Sequence, residues 1–221
     1  VSRTCLIKKF FVNNMEWLPR IIFQKLQLIF RGYVVIDNFF PQKVCDQLRK
    51  IALSEKFVNS TYLKNGYKGS DFDAIVDGVR TASLDQKFIS DIKRRAPFLE
   101  KHNYMRSWSF IYNTICDGVE SHADPSTYNC NVWITPDECL SDKNKNGLII
   151  FKKSSKDLSY EQYNGNLNFI KKYLYGSRYA RIPYKFNRAV IFPGRMFHKT
   201  DSVHMKSGKE NRRINYTFLF E

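Results

Sequence analysis

The segment Ser121-His122-Ala123-Asp124-Pro125 sets an imidazole and a carboxylate two residues apart. At the end of an extended strand, residues i and i+2 face the same side, so both side chains can reach one metal ion. His198 lies far downstream, delivered by the apolar run Ala189-Val190-Ile191-Phe192 and the turn Pro193-Gly194. One sheet with intervening strands closes such a separation. Two His and one carboxylate form the facial triad that holds non-haem Fe(II), leaving positions for a co-substrate and O2. His122, Asp124 and His198 are therefore the candidate metal ligands and catalytic residues.

The third element is Arg212-Arg213-Ile214-Asn215-Tyr216-Thr217-Phe218, which alternates as a strand does. Ile214, Tyr216 and Phe218 can pack one face while Arg213, Asn215 and Thr217 present a polar one. A guanidinium takes a carboxylate in a bidentate pair, a geometry that Lys does not offer. Arg213 is the candidate anion anchor, because giving that role to Arg212 turns Ile214 and Tyr216 into the polar pocket. The competing reading makes both arginines surface charges on an edge strand; the His-x-Asp pair and His198 weigh against it.

These side chains need a scaffold, and the sequence offers one. Pro19 opens a helix with Ile22, Leu26 and Ile29/Phe30 at helical spacing, and Gly32 stands at its C-terminal cap position. Residues 33–37 read as a short β-branched strand, and Pro41 opens a second helix with Val44, Cys45, Leu48, Ile51 and Ala52 on one face. From Ser54 to Leu84 no period is sustained, which reads as a loop and candidate lid. Residues 88–99 look helical. Short β-type runs follow at 106–112, 128–134, 148–151, 188–192 and 214–220, with a helix over 160–174 inserted between two of them. With no repeat or linker, one domain is expected over residues 1–221: an N-terminal helical segment (1–30), a helix-strand-helix part with the candidate lid (31–105) and a barrel core (106–221).

Composition narrows the class. Of 221 residues 43% are hydrophobic and 15% aromatic, so a buried core is available and disorder is excluded. The richest apolar stretch, residues 17–37, is broken by Pro19, Arg20, Lys25 and Arg31, so no membrane span is expected. Five cysteines without a C-x-x-C pair fit neither a zinc cluster nor a secreted disulfide framework, which points to a reducing, cytoplasmic setting. The net charge of +15 invites a nucleic-acid reading, but Lys and Arg are scattered in ones and twos from Arg3 to Arg213, and a solvated basic surface is the preferred reading.

The order His-x-Asp, distal His and then Arg on the following strand resembles the Fe(II)/2-oxoglutarate-dependent oxygenase superfamily, over most of the chain from Phe30 onward. Phe30-Arg31-Gly32-Tyr33-Val34-Val35-Ile36-Asp37-Asn38-Phe39-Phe40 is similar to the opening helix-to-strand segment of its phytanoyl-CoA-hydroxylase-like and prolyl-hydroxylase-like members. Phe110-Ile111-Tyr112-Asn113 resembles the strand whose Tyr helps hold the 2-oxoglutarate carboxylate. The runs Asn131–Pro136 and Asn146–Phe151 look like the central strands. Family members commonly carry Arg-x-Ser where this chain has Arg213-Ile214-Asn215, and the Asn215 amide can donate in place of the hydroxyl. Asp124 separates the chain from the halogenating relatives, which lack the carboxylate.

The resemblance implies a double-stranded β-helix, a jelly-roll barrel with flanking helices, mainly β with an α+β organisation. It implies Fe(II) on His122, Asp124 and His198, and 2-oxoglutarate on Arg213 with Tyr112, Asn215 and Asn131 alongside. O2 is the remaining co-substrate and C–H hydroxylation, with release of succinate and CO2, the default outcome. A small-molecule substrate, amino-acid-like, aromatic or anionic, is expected from the loop 62–69 and from Arg80, Arg178 and Arg181. A nucleic-acid or protein side-chain oxygenase and a non-catalytic binding barrel are the alternatives. Lys199, Thr200 and Asp201 are read as rim or support of His198, and His102 and His204 as structural. Oligomeric state is left open.

Overall fold

The computed structural model of the chain describes residues 19–54, 62–64, 67–71 and 82–221. Four helices are described: α1 (Arg20–Arg31), α2 (Gln42–Ala52), α3 (Ala82–Arg95) and α4 (Leu167–Leu174). The strands are β1 (Val34–Ile36), β2 (Tyr62–Lys64), β3 (Tyr67–Asp71), β4 (Tyr104–Tyr112), β5 (Ile115–Cys116), β6 (Tyr128–Trp133), β7 (Leu148–Ser154), β8 (Tyr179–Ile182), β9 (Arg188–Pro193), β10 (Met196–Thr200), β11 (Val203–His204) and β12 (Ile214–Phe220). None of the described helices is long and apolar enough to cross a membrane.

From β6 onward the chain alternates between two antiparallel sheets. The larger runs β1-β9-β6-β12-β4-β3-β2 and the smaller β10-β7-β8, with β11 and β5 as a separate pair. Strand periodicity gives the large sheet two different faces. Ile111, Cys130, Val132, Ala189, Ile191, Ile214, Tyr216, Phe218 and Phe220 line the outer face, packed on Cys45, Leu48 and Ala52 of α2 and on Phe88 and Ile92 of α3. Each fully buried aliphatic or Phe side chain there stabilises the fold by about 1.5–3 kcal/mol. Trp133, Val190 and Phe192 point the other way, onto Leu148 and Ile150 of β7 and Ile182 of β8.

The register lays the inner face out in rows. Arg106, Leu219, Asn129 and Phe192 stand side by side across β4, β12, β6 and β9. The next row is Trp108, Thr217, Asn131 and Val190, and the next Phe110, Asn215, Trp133 and Arg188. Beyond it the Tyr112 N–H donates to the Arg213 carbonyl at 3.0 Å. The polar face expected for residues 213, 215 and 217 thus lines the interior between the sheets.

Several elements differ from the sequence expectation. The stretch 54–84 is not all loop: β2 and β3 form a hairpin on the edge of β4, and α3 already begins at Ala82. Residues 55–61, 65–66 and 72–81, the rest of the candidate lid and Arg80 among them, lie outside the described residues. The helix expected over 88–99 ends at Arg95 and gives way to a 3₁₀ turn, Pro97–Leu99. The helix expected over 160–174 is broken: a π-turn, Glu161–Gly165, precedes α4, whose N-cap Asn166 accepts from the Phe169 N–H at 2.9 Å.

Helix α1 ends as expected, with Gly32 at φ 83 and its N–H on the Leu28 carbonyl. Its buried face is another one. Gln24 and Gln27 are buried, whereas Ile22, Ile29 and Phe30 are exposed. Gln24 donates to the Arg95 carbonyl at the end of α3, and the Gln27 side-chain oxygen accepts from the Val35 N–H. Two polar residues serve backbone groups that hydrophobic periodicity does not register.

Candidate metal and anion site

The His-x-Asp segment is fixed by backbone pairing before any side chain is considered. His122 and His198 exchange both N–H···O bonds, at 3.0 and 2.9 Å, which brings their rings side by side, tilted by 55° with centroids 4.3 Å apart. The Asp124 N–H donates to Gly194, the glycine of the turn between β9 and β10, at 2.9 Å. A Cβ on Gly194 collides with Ser126 Oγ and crowds Asn129. The turn that delivers His198 therefore also holds Asp124.

One ligand atom from each of His122, Asp124 and His198 lies within 4.8 Å of the others. His198 Nε2 stands 3.4 Å from Asp124 Oδ2, and His122 Nε2 3.9 Å from Oδ1. His122 Nδ1 lies 2.7 Å from the Glu120 carbonyl and His198 Nδ1 3.0 Å from the Met196 carbonyl. A carbonyl only accepts, so each Nδ1 carries the proton and each Nε2 turns its lone pair to the cluster, the tautomer a metal ligand needs. Asn129 Nδ2 donates to Asp124 Oδ2 at 2.5 Å, and its own oxygen accepts from Ser126 Oγ. Burial pushes the Asp124 carboxyl up, but the polar groups set against it, the two imidazoles and the Asn129 amide, outweigh burial and hold it below the usual carboxylate value.

Deeper in, Arg213 is 1% exposed. Its Nε–H donates to the Asn146 carbonyl at 2.7 Å, and its guanidinium carbon sits 4.6, 5.6 and 5.9 Å from the ring centroids of Tyr112, Trp133 and Tyr184. Asn146 adopts φ 71, and its side chain spans the Asp142 and His204 backbones, aiming its carbonyl at Arg213. Among the described residues no carboxylate pairs with this guanidinium, and its Nη1 is buried without a hydrogen bond. Arg188, on the same sheet, instead holds Asp37 at 2.6 Å. Burial pushes the Tyr112 phenol up, against the pull of the Arg213 charge and of Thr200, so its hydroxyl keeps its proton. That hydroxyl lies 3.1 Å from Thr200 Oγ1.

Beside the cluster lies a narrow cavity of about 20 Å³, bounded by Trp108, Phe110, Tyr112, Asn131, Thr200 and Asn215 among others. The side-chain oxygens of Asn131 and Asn215 and the indole N–H of Trp108 are buried without partners. Above the cluster the cavity opens into a cleft of about 430 Å³, walled by Trp108, Phe110, Pro125, Tyr160 and Leu167, with Arg106, Glu120 and Asn164 adding polar groups.

Of the seven site residues expected from the sequence, His122, Asp124, His198, Tyr112, Asn215 and Asn131 line this one space, and Arg213 lies behind it against the Tyr112 ring. Thr200 lies inside it rather than at the rim, while Asp201 is buried in an ion pair with Arg181 at 2.8 Å. That pair removes Arg181 from the substrate-facing residues. Sequence reasoning missed Trp108, Asn129 and Asn146. The first two are legible in alternation, standing two places before Phe110 and Asn131; Asn146 has no signal but its place before Gly147. The buried thiols of Cys45, Cys130 and Cys139 lie away from the cavity, and burial pushes each up, Cys45 to about 12.

No protein-family model and no curated protein matches the sequence. Solved structures do match. The non-haem α-ketoglutarate-dependent carbocyclase SnoK from nogalamycin biosynthesis aligns with 93% of this chain and 84% of its own, at TM-score 0.63 and 13% identity. A prolyl hydroxylase from Trichoplax adhaerens, solved with a hypoxia-inducible-factor degradation-domain peptide, covers 100% of this chain and 93% of its own, at TM-score 0.54 and 13% identity. HygX from Streptomyces hygroscopicus, solved with nickel and 2-oxoglutarate, covers 92% and 87%, at TM-score 0.57 and 9% identity. The chain therefore has the jelly-roll fold of the Fe(II)/2-oxoglutarate-dependent oxygenases, with a His-Asp-His cluster at the mouth of its cavity.

Proposed function

We propose that the protein is an Fe(II)- and 2-oxoglutarate-dependent oxygenase that hydroxylates a C–H bond of a compact organic group admitted through the cleft above the cluster. One observation carries the reading: the His-Asp-His cluster, with pre-set imidazole tautomers, lines one cavity with Tyr112, and the buried Arg213 guanidinium, without a carboxylate partner among the described residues, lies 4.6 Å from the centre of that Tyr112 ring. His122 Nε2, His198 Nε2 and the Asp124 carboxylate would hold the iron. Arg213 would take the far carboxylate of 2-oxoglutarate, since a buried cation without a counter-ion is costly and an anionic ligand relieves that cost. When bound, Fe(II), 2-oxoglutarate and O2 supply the oxidation, yielding succinate, CO2 and one oxygen atom for the substrate.

The protein's own contribution is orientation and exclusion of water. Tyr112 and Thr200 offer hydroxyls beside Arg213. Asn131 and Asn215 offer amides that, turned by 180°, present N–H groups to an anion with no change of shape. Space for the co-substrate has to come from the Trp108 and Phe110 rings that narrow the cavity. The cleft fits a small group with an aromatic or aliphatic body and polar substituents, because the rings of Trp108, Phe110 and Tyr160 alternate in its walls with Arg106, Glu120, Ser121 and Asn164.

The test is succinate formation from 2-oxoglutarate by anaerobically purified protein given Fe(II) and O2, without prime substrate. Turnover that requires Fe(II) and that, at the 2-oxoglutarate concentration half-saturating the natural protein, falls to background in Arg213→Met is expected. Absence of turnover together with failure to bind Fe(II) or 2-oxoglutarate would overturn the reading in favour of a non-catalytic barrel.

A further inference from the structure

The positive charge is less scattered in the fold than along the chain. Residues 143–199 hold 13 Lys and Arg and only Asp157 and Glu161 as acids; Arg181, Lys185 and Arg188 among them pair with Asp201 and Asp37 from outside this stretch, which leaves the remaining cations in excess. Apart from β9, which belongs to the large sheet, this stretch forms a lobe of the small sheet, the π-turn and α4. Lys152, Lys156, Lys171, Lys172 and Arg178 are exposed there, and none pairs with a carboxylate among the described residues. Backbone contacts tie them together: the Lys152 N–H donates to Arg178, and Lys153 Nζ donates to Tyr173 of α4 at 2.5 Å while lying over its ring.

The same lobe exposes aromatic rings. Tyr175 is 91%, Tyr160 63% and Tyr179 56% exposed, whereas the other large exposed side chains, Ile22, Ile29, Phe30 and Ile115, all lie outside it. A lipid surface calls for aliphatic or Trp wedges, which this lobe lacks. An acidic peptide needs the charge but not the rings. Single-stranded nucleic acid uses both, with cations along its phosphates and exposed rings as stacking platforms for bases. Tyr160 also lines the cleft above the cluster, so one of the lobe's exposed rings stands at the mouth.

We infer that the lobe formed by residues 143–199 is a docking surface for single-stranded nucleic acid that leads to the mouth of the cavity. The docking stands without the metal; only its connection to catalysis rests on the proposed function. The test is fluorescence anisotropy of a labelled oligothymidine about 20 nucleotides long, with polyglutamate and phosphatidylserine vesicles as competitors. Binding that weakens steeply between about 50 and 200 mM salt is expected. Combined Lys152→Glu, Lys171→Glu, Lys172→Glu and Arg178→Glu should cost at least about tenfold and flatten the salt slope. Tyr175→Ala with Tyr179→Ala should cost about tenfold on the oligonucleotide and leave heparin binding unchanged. No binding at the lowest salt, equal competition by polyglutamate or by vesicles, or an unaffected tyrosine variant would overturn the inference. Succinate formation by the four-charge variant, whose substitutions lie outside the cavity, reports separately on the oxygenase reading.

Discussion

At the mouth of the cavity each polar atom behind the metal-facing surface has a protein partner. Both Nδ1–H groups end on backbone carbonyls, and Asn129 bonds Asp124 while being held by Ser126. At the floor Arg213 donates its Nε–H to the Asn146 carbonyl and lies against three aromatic rings, its Nη1 has no hydrogen bond and no carboxylate among the described residues pairs with it, and Asn131 and Asn215 keep unpaired oxygens. The difference teaches how the two ligands would be recognised. A divalent cation is caught by lone pairs whose direction the backbone fixes in advance. A dicarboxylate is caught by a charge kept dry and unpaired, which strengthens the eventual pair at the cost of stability beforehand.

The largest expected effect removes the mouth. Asp124→Ala or His122→Ala should bring Fe(II)-dependent succinate formation to background and abolish stoichiometric iron in the purified protein. Unchanged turnover would sink the ligand assignment.

Next, the floor should separate binding from stability. Arg213→Met keeps the volume and removes the unpaired charge, so the 2-oxoglutarate concentration for half-maximal turnover is expected to rise by roughly 10²- to 10³-fold. The melting temperature should hold or rise, since a buried charge without a counter-ion is replaced by a hydrophobic side chain. A fall of more than about 4 °C would make Arg213 a structural residue. Arg188→Met sharpens the contrast: it leaves Asp37 with Lys185 alone, so a loss within about 1 kcal/mol is expected, read from the urea midpoint.

A smaller effect is expected one layer behind the metal ligands. Asn129→Leu removes the hydrogen bond on Asp124, and Gly194→Ala forces a Cβ onto Ser126 and Asn129. Either should weaken Fe(II) affinity by about 10–100-fold with the fold retained, measured by titration against a chelator. Unaltered affinity would mean that backbone pairing alone orients the cluster.

Much of this was legible in the residues. His122, Asp124 and His198 could be placed together because period-two alternation and a strand delivering His198 leave few other arrangements, and the same alternation put Arg213, Asn215 and Thr217 inside. The floor's unpaired state was not legible, because it depends on which acid reaches which guanidinium: Asp37 reaches Arg188 across the sheet, and nothing among the described residues reaches Arg213. Helix α1 shows the same limit. Its apolar stripe of Ile22, Ile29 and Phe30 predicts the wrong buried face, since Gln24 and Gln27 are drawn in by backbone groups that a sequence does not locate. The interruption at Asn166 is a capping interaction that could have been read from Asn at that position, but the helical spacing of Tyr163, Leu167, Ile170 and Leu174 masks it.

The smallest expected effect concerns pH and again sets the two arginines apart. The hydrogen bond from Arg188 lowers the Asp37 carboxyl, partial burial opposes it, and Lys185 adds to the lowering, leaving it at about 2. A carboxylate whose pKa is depressed by folding stabilises the native state above its ordinary value, and that contribution fades as pH falls through the folded value. The difference in urea midpoint between the natural protein and Asp37→Asn should therefore be constant from neutral pH to about 5 and close between about 4 and 2. It should stay within about 1 kcal/mol, because solvent screens a pair whose Asp37 side chain is 34% exposed. A guanidinium keeps its charge throughout this range, so the corresponding difference for Arg213→Met should be flat. A slope there would reveal an acid paired with Arg213 after all, and the anion site at the floor would lose its basis.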